Sequence, residues 1–183
     1  MRFAIAPVTI LAAVLLMGAP DAAHAQPPLQ RDTWLLSGAL GLAIDADGNS
    51  SLALAGAAAF PLTSALAVEG ELGHVLDISP GNVDVDTSLT TVHGSILYFV
   101  NTPYVLTPYL AAGLGVGKYS SEVKTAPPSD FSTTEFGFNL GAGVTYPLNG
   151  STYFRGDFRY FKHIDDVPSV WRFAAGVAVR IGS

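Results

Sequence analysis

The chain has 183 residues, of which 49% are hydrophobic and only 13% charged, with a formal net charge of −6 and no cysteine. That balance excludes a disulfide-stapled scaffold and a thiolate metal site, and its acidity argues against nucleic acid as a partner. A chain of this length makes one domain, held together by burial and strand pairing alone.

The N-terminus has the form of a secretory signal. Arg2 precedes an apolar run, Phe3 to Met17, broken only by Thr9, and Ala23-His24-Ala25 gives a small-x-small cleavage pattern before Gln26. The run falls short of the ~20 apolar residues of a spanning helix. Residues 1–25 are therefore expected to be a cleaved signal peptide and residues 26–183 a single β-barrel domain. Cleavage removes Arg2 and Asp21, so the net charge does not change. Further on, apolar runs such as Ile96-Leu97-Tyr98-Phe99-Val100 are far too short to span as helices.

Alternation with period two predicts eight strands in chain order: Thr33–Ile44, Ser51–Phe60, Ala65–Val75, Leu89–Asn101, Thr107–Tyr119, Thr133–Tyr146, Thr152–Phe161 and Val170–Ile181. The first two are small or apolar on both faces. In the third, Leu66, Val68, Gly70 and Leu72 oppose Ala67, Glu69, Glu71 and Gly73. The fourth sets Val92, Ile96 and Tyr98 against His93, Ser95 and Leu97, and the sixth sets Phe136, Phe138, Leu140, Ala142, Val144 and Tyr146 against Glu135, Asn139 and several glycines. In the seventh, Phe154, Phe158 and Tyr160 oppose Arg155, Asp157 and Arg159; in the eighth, Trp171 and Phe173 oppose Arg172 and Arg180. A soluble sheet wets its charged face. A membrane barrel turns that face inward and gives its aromatics to lipid, with eleven residues spanning about 25 Å.

Loop lengths favour the membrane reading. Pro61-Leu62-Thr63-Ser64 and Pro147-Leu148-Asn149-Gly150 are tight-turn signals on one side. Leu76–Ser88, Ser120–Ser132 and Lys162–Ser169 are expected as longer loops on the other. This orientation puts Trp34, Phe60, Tyr98, Tyr146 and Phe154 near one rim and Phe136, Phe138, Phe158, Tyr160, Trp171 and Phe173 near the other, as two aromatic girdles.

On Pro108-Tyr109-Leu110-Ala111-Ala112-Gly113-Leu114-Gly115-Val116-Gly117, Phe136–Val144 and Phe154–Tyr160, the chain resembles the small outer-membrane β-barrel family. That family includes the membrane domain of outer-membrane protein A, outer-membrane protein X and the opacity-type surface proteins. The resemblance is one of pattern and glycine placement over nearly the whole mature chain. It implies an all-β, eight-stranded antiparallel up-and-down transmembrane barrel in the outer membrane of a Gram-negative-type envelope. It further implies a monomer, partnered by outer-membrane lipids, lipopolysaccharide and, during assembly, the barrel-insertion machinery. Gly176, Val179 and Ile181 match the spacing of the terminal insertion signal, although Ile181 stands where the family has an aromatic residue.

If the charged parity faces inward, Glu69, Glu71, Arg155, Asp157, Arg159, Arg172 and Arg180 meet in the lumen. An eight-stranded interior is just wide enough for side chains to fill, and unpaired charges there cost several kcal/mol each. A salt-bridged plug is expected, with Tyr109, His93, Ser95 and Asn139 completing its polar contacts. Phe136, Phe138, Phe154, Phe158, Tyr160, Trp171 and Phe173 are the expected lipid-facing aromatics. The inward glycines of strands five and six leave packing room, with a hydrophobic-ligand pocket as the alternative.

No catalytic, cofactor or metal residues are assigned. His163 lies where the lipid A deacylase barrels carry His-x-Ser-Asn, but His163-Ile164-Asp165-Asp166 lacks the nucleophilic serine. Asp45-Ala46-Asp47-Gly48-Asn49 is similar to a calcium loop without its downstream glutamate, and reads more simply as a turn. Asp77, Asp84, Asp86, Asp130, Asp165 and Asp166 make the outer loops acidic, where divalent ions could bridge them to lipopolysaccharide phosphates. The expected role is structural or surface interaction. A narrow pore or hydrophobic-ligand transport barrel is the alternative, and a lipid A-modifying enzyme the weaker third.

Overall fold

The computed structural model describes residues 29, 32–76, 85–123, 129–164 and 167–182. The expected signal peptide lies outside them, as do Asp77, Asp84, Asp165 and Asp166. Eight strands form: β1 (Trp34–Asp45), β2 (Ser50–Pro61), β3 (Leu66–Leu76), β4 (Val85–Phe99), β5 (Thr107–Val123), β6 (Ser129–Pro147), β7 (Thr152–His163) and β8 (Val170–Ile181). Each pairs antiparallel with its chain neighbour, and β8 returns to β1 from Trp34↔Ile181 to Asp45↔Val170, closing the barrel.

Closure satisfies the backbone of every strand on both sides through the spanning band, which an apolar medium requires. The alternation then sorts the side chains. Odd-numbered positions of β3, β4 and β7 are buried inside, and even ones are turned outward. The outward surface is apolar, with Leu72, Ile96, Leu110 and Leu114 each more than half exposed. This reverses the arrangement of a soluble protein and matches a barrel in lipid.

The two tight turns are built alike. Leu62 and Thr63 donate to the Leu66 carbonyl, while the Thr63 hydroxyl accepts from the amides of Ala65 and Leu66. In the β6–β7 turn, Leu148 and Asn149 donate to the Thr152 carbonyl, and Asn149 Oδ1 accepts from Ser151 and Thr152. At the opposite end, the Asp45 carboxylate accepts from the amides of Asp47 and Asn49, and Gly48 has φ +88°. The Asp45–Asn49 segment is thus a side-chain-capped turn that needs glycine at its left-handed position.

The long loops are shorter than expected. β5 runs to Val123 and β6 starts at Ser129, so most of the expected loop Ser120–Ser132 is paired strand. β4 likewise begins at Val85, inside the expected loop Leu76–Ser88. These extensions carry polar residues on both faces, so the apolar alternation stops while the backbone ladder continues.

Candidate functional site

The lumen is divided into three levels. At the short-turn end, Leu29, Leu35, Leu97, Phe99, Tyr109 and Tyr153 make an apolar layer. At the long-loop end, Val75, Leu89, Phe161, Val167 and Val170 make another. Between them sits a charge network contributed by three strands.

Glu69 on β3 is its pivot. Arg155 Nη1 donates to Glu69 Oε2 at 2.6 Å, and Arg159 Nη2 donates to Oε1 at 2.6 Å. Arg172 makes a bidentate pair with Glu71, both bonds 2.8 Å. Asp157 accepts from the Tyr109 hydroxyl at 2.6 Å and from Arg159 Nε, with Arg155 and Arg172 at 3.3 and 3.4 Å. Arg155 Nε in turn donates to the Tyr109 oxygen at 2.8 Å and Nη1 to Ser37 Oγ at 3.1 Å. Three carboxylates meet three guanidiniums, so the network is neutral and almost every charged atom is paired. Bidentate, cross-linked geometry of this kind is what offsets the desolvation of six buried ions.

The register explains why these residues meet. Asp157 and Arg159 fall opposite Gly143 and Gly141, and Glu71 falls opposite His93. A Cβ on Gly141 would lie 2.6 Å from Arg159 Cγ, and one on Gly143 would strike the Tyr109 ring. Gly117 and Gly137 seat the His163 ring in the same way. These inward glycines of β5 and β6 are therefore seats for large side chains of strands one or two places away in the barrel wall.

Two inward residues depart from the expected plug. Arg180 does not join the network: its guanidinium donates to the Tyr153 hydroxyl at 2.8 Å and the Gly150 carbonyl at 2.6 Å, at the short-turn end. Eight residues separate it from Arg172, about 26 Å along a strand, and parity alone did not register that distance. His93 also stays outside the hydrogen bonding. Neither ring nitrogen has a hydrogen-bond partner among the described residues, because Glu71 beside it is taken by Arg172. The His93 ring packs edge-on to Phe161 at 5.1 Å and lies 6.0 Å from the His163 ring. Ser95 and Asn139 bond to each other at 3.1 Å.

His163 is buried at the end of β7, its Nδ1 3.3 Å from the Pro168 carbonyl. That carbonyl only accepts, so Nδ1 carries the proton. Outside, Phe158 stacks on Trp171 at 5.1 Å and contacts Phe173 at 4.4 Å, while Tyr160 contacts Trp171 at 4.5 Å. Phe136, Phe138 and Phe154 are exposed on the same outer surface. Sequence reasoning missed the part that Leu29 and Val167 play in these apolar layers, because both lie in non-strand segments where alternation carries no signal.

The family model for the outer membrane protein beta-barrel domain matches residues 9–180. The chain belongs to that family. This barrel is accordingly a protein of the cell outer membrane, with its apolar band in lipid. No curated protein matches it in sequence. Among solved structures, Neisserial surface protein A is 20% identical, with 80% of this chain and 95% of that one covered and a TM-score of 0.65. The N-terminal barrel domain of Pseudomonas aeruginosa OprF is 18% identical over 82% and 98% of the chains, with a TM-score of 0.61. Ail, the attachment invasion locus protein of Yersinia pestis, is 14% identical over 83% and 100%, with a TM-score of 0.58. At these identities the likeness concerns the barrel fold.

Proposed function

We propose that this outer-membrane barrel is a closed structural anchor whose role is surface interaction at its long-loop end. The observation that carries the reading is the lumen. A neutral, cross-linked network fills its middle, and apolar layers close it toward both ends. A pore needs a continuous polar path with sites weak enough to release an ion, and this interior offers bidentate pairs behind apolar seals. The attachment role in the name of Ail agrees with a barrel of this shape working at its surface. Embedding in outer-membrane lipid and lipopolysaccharide, assembly by the barrel-insertion machinery, a monomeric state and removal of residues 1–25 complete the proposal.

The test is conductance in planar lipid bilayers, using protein that shows the heat-dependent gel shift of a folded barrel. No channel steps above the leak of protein-free membranes are expected. Reproducible steps from the folded fraction would overturn the closed reading in favour of a narrow pore. Mass measurement of the mature protein, with Gln26 as its first residue, checks the cleavage.

A further inference from the structure

Two buried histidines meet in the lumen. His93 on β4 and His163 at the end of β7 are 2% and 1% exposed, and their ring centroids lie 6.0 Å apart. Glycines make the meeting possible. The His163 ring crosses Gly137 on β6 and ends over Gly117 on β5, where Nε2 is the atom closest to the place a Cβ would take. The His93 ring leans over Gly115, its register partner on β5. His163 Nε2 therefore points along the barrel wall toward β4. It faces away from the β7–β8 connection, which Nδ1 contacts at Pro168.

That contact fixes the proton. Nδ1 of His163 donates to the Pro168 carbonyl at 3.3 Å, which leaves the lone pair on Nε2. A ring held through one N–H to a backbone carbonyl, with its other nitrogen free, has the arrangement of a metal-ligating histidine. Neither Nε2 of His163 nor either ring nitrogen of His93 has a hydrogen-bond partner among the described residues. With nitrogen–metal bonds of about 2.0–2.1 Å, one ion shared by two imidazoles holds their centroids roughly 5–6.5 Å apart. The spacing of His93 and His163 falls inside that range.

We propose that His93 and His163 bind one soft, monovalent, closed-shell ion, Cu(I) or its silver analogue, between β4 and β7. Ligand number and charge select this class. Among the described residues no three His, Cys, Asp or Glu side chains gather to hold an ion, so the protein supplies two nitrogens. Structural zinc takes four ligands, whereas copper accepts imidazole and its monovalent form is content with two. Phe161 packs against His93, and with Leu89, Val167 and Val170 it keeps water from completing a larger shell. The neighbouring carboxylates are already matched by guanidiniums. Added positive charge there is unfavourable, and a single charge is less so than two. The inference is independent of the surface-interaction reading, since it concerns the lumen and not the loops.

The experiment uses the mature protein without an affinity tag, refolded into detergent micelles in nitrate buffer with a small excess of Ag(I). Residues 26–183 contain no cysteine or methionine, and their one other histidine, His74, is bonded to Thr90. Elemental analysis after gel filtration is expected to find about one silver ion per folded barrel. His93→Gln and His163→Gln are each expected to lower the retained silver about tenfold or more, while His74→Gln keeps it. A second readout needs no variant to fold: in the unaltered protein, the nitrogen NMR resonances of the His93 and His163 rings are expected to shift on silver loading, and those of His74 to stay. A folded wild-type barrel that retains no silver overturns the proposal. So does undiminished retention by either folded lumen variant, or silver retained with unmoved lumen resonances, which would place the ion elsewhere. Equal retention of zinc overturns the two-ligand, monovalent assignment.

Discussion

Each charge in the lumen is tolerable only because its partners are in place. Glu69 holds two arginines, one through each carboxylate oxygen. Glu69→Gln is expected to leave both guanidiniums under-compensated and to destabilise the barrel by about 3–5 kcal/mol, read as a lower temperature for the heat-dependent gel shift. Arg180→Ala, at the short-turn end, is expected to cost about 1 kcal/mol or less. Equal effects of the two would mean that the network has no special role in stability. The glycines give a second contrast. Gly143→Ala drives a methyl into the Tyr109 ring, whereas a Cβ on outward Gly70 meets nothing within 4 Å. The first is expected to cost about 1–3 kcal/mol by overpacking and the second to change stability by less than about 0.5 kcal/mol, measured by the same melting assay.

Strands and turns carry different kinds of information. In both tight turns a single side-chain oxygen, from Thr63 or Asn149, accepts two backbone amides. Asn149→Ala is expected to cost about 1 kcal/mol, with folded yield as the readout, because the exposed amides regain water. These turns were legible in sequence, since Pro-Leu followed by Thr or Asn is a local signal. The extended β5–β6 hairpin was not, because Ser120, Ser121, Ser129 and Ser132 show no apolar alternation. Hydrogen exchange measured by NMR checks it: the amides of Ser121 and Phe131, which face each other across the ladder, are expected to be protected. Uniform fast exchange from Ser120 to Ser132 would restore the loop.

For the whole molecule, closure and filling are separate properties. The eight ladders, closed by β1–β8 from Trp34↔Ile181 to Asp45↔Val170, make the cylinder, and the network with its two apolar layers fills it. Arg155→Glu tests the filling, since it sets a third carboxylate against Glu69 and Asp157. It is expected to lower the melting temperature more than Glu69→Gln does, without creating stable channels in planar bilayers. Stable conductance with an unchanged melting temperature would instead mean that the network is a gate.

With loop lengths and the family resemblance supplying the antiparallel barrel and the inward direction, alternation determined the strand number and the two faces, because a period of two is fixed by the geometry of the strand itself. It also determined that Glu69, Glu71, Arg155, Asp157, Arg159 and Arg172 share the interior. Which of them touch was decided only by tertiary structure, because contact across a lumen depends on the relative height of strands distant in sequence. That height puts Arg180 some eight residues from the network and leaves His93 without a hydrogen bond among the described residues. The same holds for Leu29 and Val167, which close the ends from segments that have no period to read.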